Sequence, residues 1–196
     1  TVKIHSNIAL TTAIEINQGG AGGVGSGYNF ETLTIDFNGF TISNSQADST
    51  KIFNFNDGDS GTVQSVKLIN GKILRTNATG GSALFIKYFD VYMDNMIVDS
   101  NVGAFDASGY SASRKLFLGN SRFIGRGAST TLSTNGFAHA ENFYVENTST
   151  GMALFGGGVK NFTAKAGSGN CFQMPNAACY ATDFTFYYEN STYTET

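Results

Sequence analysis

The sequence predicts an all-β protein, a single-stranded right-handed parallel β-helix of about seven coils with an Asn ladder, and three observations support this. Short strand-like segments with alternating apolar residues recur along the chain. A polar residue, in most copies Asn, recurs within them at an average spacing of 24 residues. The chain also has 24 glycines, one proline and only 14% charged residues, where about a quarter is usual. A repeat of this length cannot bury its own apolar face, so successive repeats must stack.

The polar column is the clearest repeated feature. It consists of Gly39, Asn70, Asn95, Asn120, Asn142, Asn161 and Asp183, in segments such as "VKLINGKI", "LFLGNSRF" and "GVKNFTA". We expect its Asn and Asp members to stack at one corner, because side-chain amides can donate and accept along the stack. Asn and Gly also tolerate the left-handed backbone that a corner requires. Replacing Asn120 with Ala is therefore expected to cost about 1–3 kcal/mol, through buried turn groups left unpaired.

Three apolar columns flank the polar column. Positions four and two residues before it and three after it are apolar or small in every copy, as in Val66, Leu68 and Ile73. The alignment places Ile35 and Phe37 in the first two of these columns in the first copy. The two columns before the polar column are two residues apart, which is the period of a strand, so the three columns predict an internal core in which Leu118 and Val145 are fully buried. No column has a period of 3.6 residues, which excludes a helical solenoid.

A second short strand recurs between the Asn segments, in "IFNF", "ALFI", "GAFDA", "TTLST", "MALFG" and "NCFQM". The pattern divides the chain into three parts. Residues 1–32 are an N-terminal strand and Gly-rich loop, residues 33–188 the coils, and residues 189–196 a continuation or tail. The abrupt ends "TVKIHSN" and "YENSTYTET" suggest a piece of a longer polypeptide.

Composition and motifs exclude several function classes. A net charge of −3 argues against a nucleic-acid surface, and the lack of an 18-residue apolar run argues against membrane insertion. Residues 20–25, "GAGGVG", match the dinucleotide-binding fingerprint. The fingerprint needs a helix directly after it, however, and the alternation from Leu33 to Phe37 predicts a strand. We therefore expect no cofactor.

No metal site is expected either. Asp57 and Asp59 in "NFNDGDSG" suggest calcium ligands, but Gly61 stands at the next ligand position of an EF-hand register. A polar loop is the better interpretation of this segment. The two cysteines, Cys171 and Cys179, lack partners for a metal cluster and are interpreted as free buried thiols.

Candidate site residues lie one and three positions before the polar column, where side chains point outward. Tyr92, Phe117 and His139 form a candidate substrate-binding ribbon, because exposed aromatic rings can stack on sugars. Asp94 and Glu141 are candidate catalytic carboxylates beside it. Two coils apart, their backbones would be about 9.6 Å apart, near the upper end of the separation of about 6.5–9.5 Å for inverting glycoside hydrolysis.

The same outward stripe has a second interpretation. Ile69, Tyr92 and Phe117 are apolar enough to form a subunit interface instead of a sugar site. The sequence leaves both interpretations open.

The Asn column and the phrase "LTIDFNGFTIS" resemble the pectate-lyase-like right-handed parallel β-helix superfamily. The Ser-, Thr-, Asn- and Gly-rich composition is most similar to that of the bacteriophage tailspikes and tail fibres within this superfamily. This resemblance implies a homotrimer in the virion tail, joined to the remainder of the tail and extracellular in its action. Its partner would be a bacterial surface polysaccharide, which it binds with or without cleaving.

Two alternatives remain beside this prediction, a polysaccharide lyase or glycosidase of non-viral origin and a purely structural fibre spacer. No catalytic motif of the superfamily occurs in the chain. The calcium-and-arginine constellation of the pectate lyases has no counterpart in it.

Overall fold

A computed structural model describes residues 1–18, 31–57, 65–87, 89–107, 115–128, 130–133, 139–149, 153–154, 158–167, 172–173 and 180–188. Every regular element in these ranges is a β-strand, and every strand pair is parallel. The predicted all-β class with parallel pairing is confirmed. Residues 20–25, Asp59, Cys171 and Cys179 lie outside the described ranges. In the described part of the chain, no helix is long and apolar enough to span a membrane.

The strands of the described ranges belong to two sheets. In chain order they are β1 (Val2–Lys3), β2 (Ile8–Leu10), β3 (Ile14–Gln18), β4 (Thr32–Asp36), β5 (Thr41–Asn44), β6 (Phe53–Asp57), β7 (Ser65–Arg75), β8 (Ser82–Lys87), β9 (Asp90–Ser100), β10 (Gly103–Asp106), β11 (Leu116–Gly119), β12 (Ser121–Gly125), β13 (Leu132–Ser133), β14 (His139–Asn147), β15 (Ala153–Leu154), β16 (Gly158–Ala166), β17 (Phe172–Gln173) and β18 (Tyr180–Tyr188).

Strand order in both sheets follows the order of the chain. The larger sheet runs β1-β4-β7-β9-β12-β14-β16-β18, with β5 beside β7, β2 beside β5 and β11 beside β9. The smaller sheet runs β3-β6-β8-β10-β13-β15-β17, and six of its strands overlap the short segments predicted between the Asn copies. Each strand therefore pairs with its counterpart in the next repeat.

The Asn column lies in one register of the larger sheet. Ile69 pairs with Asp94 and Gly71 with Met96, which sets Asn70 opposite Asn95. Six asparagines have a left-handed backbone, with φ between 49° and 60°. They are Asn38, Asn70, Asn95, Asn120, Asn142 and Asn161. The left-handed residue separates an approach half and a departure half in each long strand. Asn is the non-glycine residue that adopts this conformation most readily.

The first copy departs from the sequence alignment. Asp36 pairs with Ile69 and Thr41 with Lys72, so residues 37–40 stand opposite only residues 70–71. The placement of Ile35 and Phe37 opposite Val66 and Leu68 is wrong by two residues, because the first turn carries a two-residue insertion. Phe37 belongs to that insertion and is fully buried above Gly71.

The core lies between the sheets and follows the predicted columns. Leu118 is fully buried and Val145 is only 3% exposed, as predicted. Aromatic pairs within the larger sheet and between the two sheets add to this core. The rings of Phe143 and Phe162 stack with centroids 5.3 Å apart, and those of Phe105 and Phe123 with centroids 5.8 Å apart.

A column of small polar side chains ends the larger sheet, five residues after the Asn column. Asn44 and Asn147 each accept the backbone N–H two residues on, at 2.7 Å, and Ser100 accepts that of Val102 at 3.2 Å. All three are buried. The side chains satisfy turn donors that the sheet leaves unpaired. This column was not predicted from the sequence, although Asn and Ser recur at a fixed offset in three copies.

Asn120 is exposed in the structure, so the expectation that its amide serves buried groups does not hold. The cost of Asn120→Ala comes instead from its left-handed φ of 52°, which Ala adopts at a cost of about 1–2 kcal/mol. We expect Asn120→Ala to lower the free energy of unfolding by that amount in urea titrations. Asn120→Gly should be less destabilising, because glycine adopts this φ freely. Equal losses in the two variants would contradict the backbone explanation.

Candidate functional site

The structure brings two members of the predicted aromatic ribbon together. Tyr92 and Phe117 pair in register, and their rings stack with centroids 5.0 Å apart and planes 13° apart. Both residues are half-buried. The ring faces that meet cover each other and are not free to stack on a ligand. His139 begins β14 and pairs with Gly158, and its side chain lies outside the description.

The two candidate carboxylates share one register of the larger sheet. Asp94 pairs with Gly119, and Glu141 pairs with Lys160. The registers of β12 with β14 extend to these positions and put Gly119 between the two acids. Asp94 is exposed and its Oδ1 accepts a hydrogen bond from Asn120 Nδ2 at 3.4 Å, whereas Glu141 is half-buried.

Within the described ranges, Asn side chains of this column form hydrogen bonds to one another in two pairs. Asn95 Nδ2 donates to Asn70 Oδ1 at 3.4 Å, and Asn161 Nδ2 donates to Asn142 Oδ1 at 2.5 Å. Asn70 Nδ2 in turn donates to Asp36 Oδ1 at 3.3 Å. The backbone N–H of Asn38 lowers the pKa of Asp36 most, and the Asn70 amide adds to this.

Asp183 is the last member of the predicted column. It lies in β18, whose side chains are outside the description.

An open cleft of about 580 Å³ lies across β12, β14 and β16. Three consecutive members of the Asn column, Asn120, Asn142 and Asn161, contribute to its lining. The next two residues of each strand complete the lining: Ser121, Arg122, Phe143, Tyr144, Phe162 and Thr163.

A hydrogen-bonded cluster stands at this cleft. The Arg122 guanidinium lies 4.6 Å from the centroid of the Tyr144 ring, a cation–π contact. Arg122 Nη2 donates to Glu146 Oε2 at 2.9 Å, and Tyr144 Oη donates to the same oxygen at 3.0 Å. The side chain of Arg122 is 50% exposed and that of Glu146 is 14% exposed. Glu146 thus fixes the positions of the Tyr144 phenol and the Arg122 guanidinium through these two hydrogen bonds.

Protonation states in the cluster follow from these contacts. Burial raises the pKa of Tyr144 most, and its bond to Glu146 raises it further. Burial alone would raise the pKa of Glu146, but the hydrogen bonds from Arg122 and Tyr144 outweigh it and the pKa is lowered. At neutral pH the cluster therefore holds a carboxylate, a guanidinium and a neutral phenol that donates.

This cleft was not predicted from the sequence, because all the candidate site residues lie before the Asn column. The cleft uses positions after it. A signal was present, since Arg122 and Glu146 fall on adjacent repeats, two and four residues after their Asn. Neighbouring repeats with opposite charges at these offsets would pair on one outward face.

The described structure is a parallel all-β chain with an open cleft on its surface, lined by both polar and aromatic residues. No family model matches the chain, and neither a curated protein nor a solved structure matches it. Within the ranges that the structure describes, no three His, Cys, Asp or Glu side chains gather as metal ligands, and His5 is exposed.

Proposed function

We propose that the chain is a stretch of right-handed parallel β-helix of about seven coils with an Asn ladder, from a tailspike or tail fibre of a bacteriophage. Strand order along both sheets supports the β-helix, because each strand pairs with its counterpart one repeat later. The shared left-handed φ of the Asn column supports one repeated corner. The Asn–Asn hydrogen bonds support a ladder along it.

The proposed function is recognition of bacterial surface polysaccharide at the cleft across β12, β14 and β16. The cleft is the observation that carries this proposal. Sugar hydroxyls both donate and accept, and the amides of Asn120, Asn142 and Asn161 offer both kinds of partner. The Arg122–Tyr144 pair adds a charged donor and an amphipathic ring at the same place. The proposal includes a homotrimer in the virion tail, as the resemblance implies.

Substitution of Arg122 tests the binding site. We expect Arg122→Gln to weaken binding to a responsive capsule or O-antigen polysaccharide about tenfold, the effect of losing a charged hydrogen bond. Affinities are measured by titration calorimetry against a panel of purified polysaccharides. The matched control is Arg126→Gln, which removes another exposed guanidinium, one paired with Asp99 outside the cleft.

Two results would contradict the proposal. One is a folded wild-type chain that binds no member of the panel. The other is equal loss of affinity in Arg122→Gln and Arg126→Gln, which would indicate general charge attraction. Unchanged melting temperatures in both variants ensure that binding, not folding, is compared.

Cleavage of the bound polysaccharide is a second candidate, favoured by the common register of Asp94 and Glu141 on the neighbouring outward face. Release of reducing ends from a bound polymer separates this candidate from binding alone.

A further inference from the structure

A buried arginine lies at the end of β7, far from any role in the proposed cleft. The side chain of Arg75 is 0% exposed, although charged side chains are almost never fully buried without partners. Its Nη2 donates to the backbone oxygen of Asp48 at 2.8 Å and to Asp48 Oδ1 at 3.0 Å. Its Nε and Nη1 are buried without a hydrogen-bond partner among the described residues.

The neighbouring strand adds a third donor of the same kind. Asn44 pairs with Arg75 in register, and its side chain is 1% exposed. Its Oδ1 accepts the backbone N–H of Gln46, which fixes the orientation of the amide. Its Nδ2 is buried and has no partner within the part of the chain that the structure describes.

The Asp48 carboxylate also accepts hydrogen bonds from Thr50. Its Oδ1 accepts the Thr50 backbone N–H as well as Arg75, and its Oδ2 accepts the Thr50 hydroxyl. The side chain of Asp48 is also 42% exposed, so water screens its charge. The Asp48 carboxylate therefore accepts a hydrogen bond from Nη2 of Arg75 and leaves Nε and Nη1 without an acceptor.

We propose that Arg75 and Asn44 form an internal binding site for a small inorganic anion of the halide class. The three atoms without a partner, Arg75 Nε, Arg75 Nη1 and Asn44 Nδ2, are all N–H donors, so the ligand must be an acceptor. A negative charge on the ligand also offsets the charge of the buried guanidinium. The ligand must be small, because Arg75, Asn44 and the adjoining Ser100 are all almost completely buried. Ser100 follows Arg75 in register, and its Oγ accepts the Val102 N–H.

The site has a structural consequence. Leaving buried donors unpaired costs free energy, and a buried guanidinium without a full set of partners costs more. Burial also acts to lower the pKa of Arg75, against the attraction of Asp48. A bound anion reverses this penalty and ties β5 to β7 at the end of the larger sheet.

Halide-dependent unfolding tests the site. The unfolding midpoint of the protein is measured while chloride replaces gluconate, a bulky anion, at constant ionic strength. We expect the midpoint to rise with chloride, and to rise with the logarithm of its concentration once the site is mostly occupied, as it does for any ligand that binds only the folded state. Crystals soaked in bromide should show an anomalous peak beside Arg75 Nη1 and Asn44 Nδ2.

Three variants make the test specific. Asn44→Leu should raise the apparent dissociation constant for chloride about tenfold. Arg75→Met should abolish the dependence of the midpoint on chloride. Arg126→Met removes an exposed guanidinium and should keep the full response. If Arg75→Met does not fold, Asn44→Leu and the bromide map decide. A wild-type midpoint independent of chloride, or a water instead of bromide at Arg75, would overturn the proposal.

Discussion

Replacement of Leu118 with Asp abolishes cooperative folding. Leu118 is fully buried and pairs in register with Met93, which is 2% exposed, so no water can reach a carboxylate at this position. An unpaired buried charge costs several kcal/mol in addition to the lost apolar contact, and the contact alone is worth about 2–5 kcal/mol. The sum is comparable to the whole stability of a domain, about 5–15 kcal/mol. Circular dichroism during heating should show no cooperative transition.

The matched control is Ile97→Asp, which makes the same kind of change on the same sheet. Ile97 is 40% exposed and pairs in register with Lys72 and Arg122. A carboxylate there stays hydrated and gains cationic neighbours, so we expect a change of about 0.5 kcal/mol or less. A Leu118→Asp variant that melts cooperatively at a temperature close to that of Ile97→Asp would contradict the column assignment.

Much of the fold could be predicted because two periodicities act together. Alternation along each strand identified Leu118 and Val145 as core residues, since a strand turns successive side chains to opposite faces. The repeat of the Asn column then identified which strands pair. Burial and pairing are both repeated in this chain, so a pattern seen in one copy applies to the next.

The first copy could not be aligned from sequence, for a local reason. Asn38 and Gly39 both have left-handed backbones, and either one could have been the counterpart of Asn70. Apolar Phe37 fits an inward column as well as Ile35 does, so hydrophobicity did not reveal the two-residue insertion. Only the pairing of Asp36 with Ile69 distinguishes the two alignments.

The candidate site was harder to predict than the fold, because outward positions carry no burial signal. Tyr92 and Phe117 were correctly predicted to be neighbours, but adjacency alone does not indicate that their faces cover each other. The cleft depends on a contact between Arg122 and Tyr144 and on a carboxylate two residues farther along β14. Such clusters require side-chain geometry, and a single sequence supplies only their charges.

The two-residue insertion leads to the second large effect, at Gly71. A Cβ added to Gly71 would lie 2.1 Å from Phe37 Cβ and 2.7 Å from the backbone oxygen of Phe40. Neither atom is the far end of a flexible side chain, so the backbone of the first turn must move. We expect Gly71→Ala to lower the free energy of unfolding by about 3 kcal/mol or more, at the upper end of overpacking effects.

The sign of this change distinguishes the structural register from the sequence alignment. The same register position carries a side chain in later repeats, at Met96, Ser121, Phe143 and Phe162. The repeat pattern alone therefore predicts that residue 71 tolerates a side chain. Gly-to-Ala changes at compatible sites stabilise by about 0.4–1 kcal/mol, because they restrict the unfolded chain.

Gly80→Ala is the control for this comparison, since no atom lies within 4 Å of its added Cβ. Urea titrations should show Gly80→Ala close to wild type and Gly71→Ala far below it. A Gly71→Ala variant as stable as Gly80→Ala would mean that Phe37 does not occupy the space above Gly71. The first turn would then lack the insertion, and the alignment by Gly39 would stand, because the core beside residue 71 would have room for a side chain, as it has at Met96, Ser121, Phe143 and Phe162.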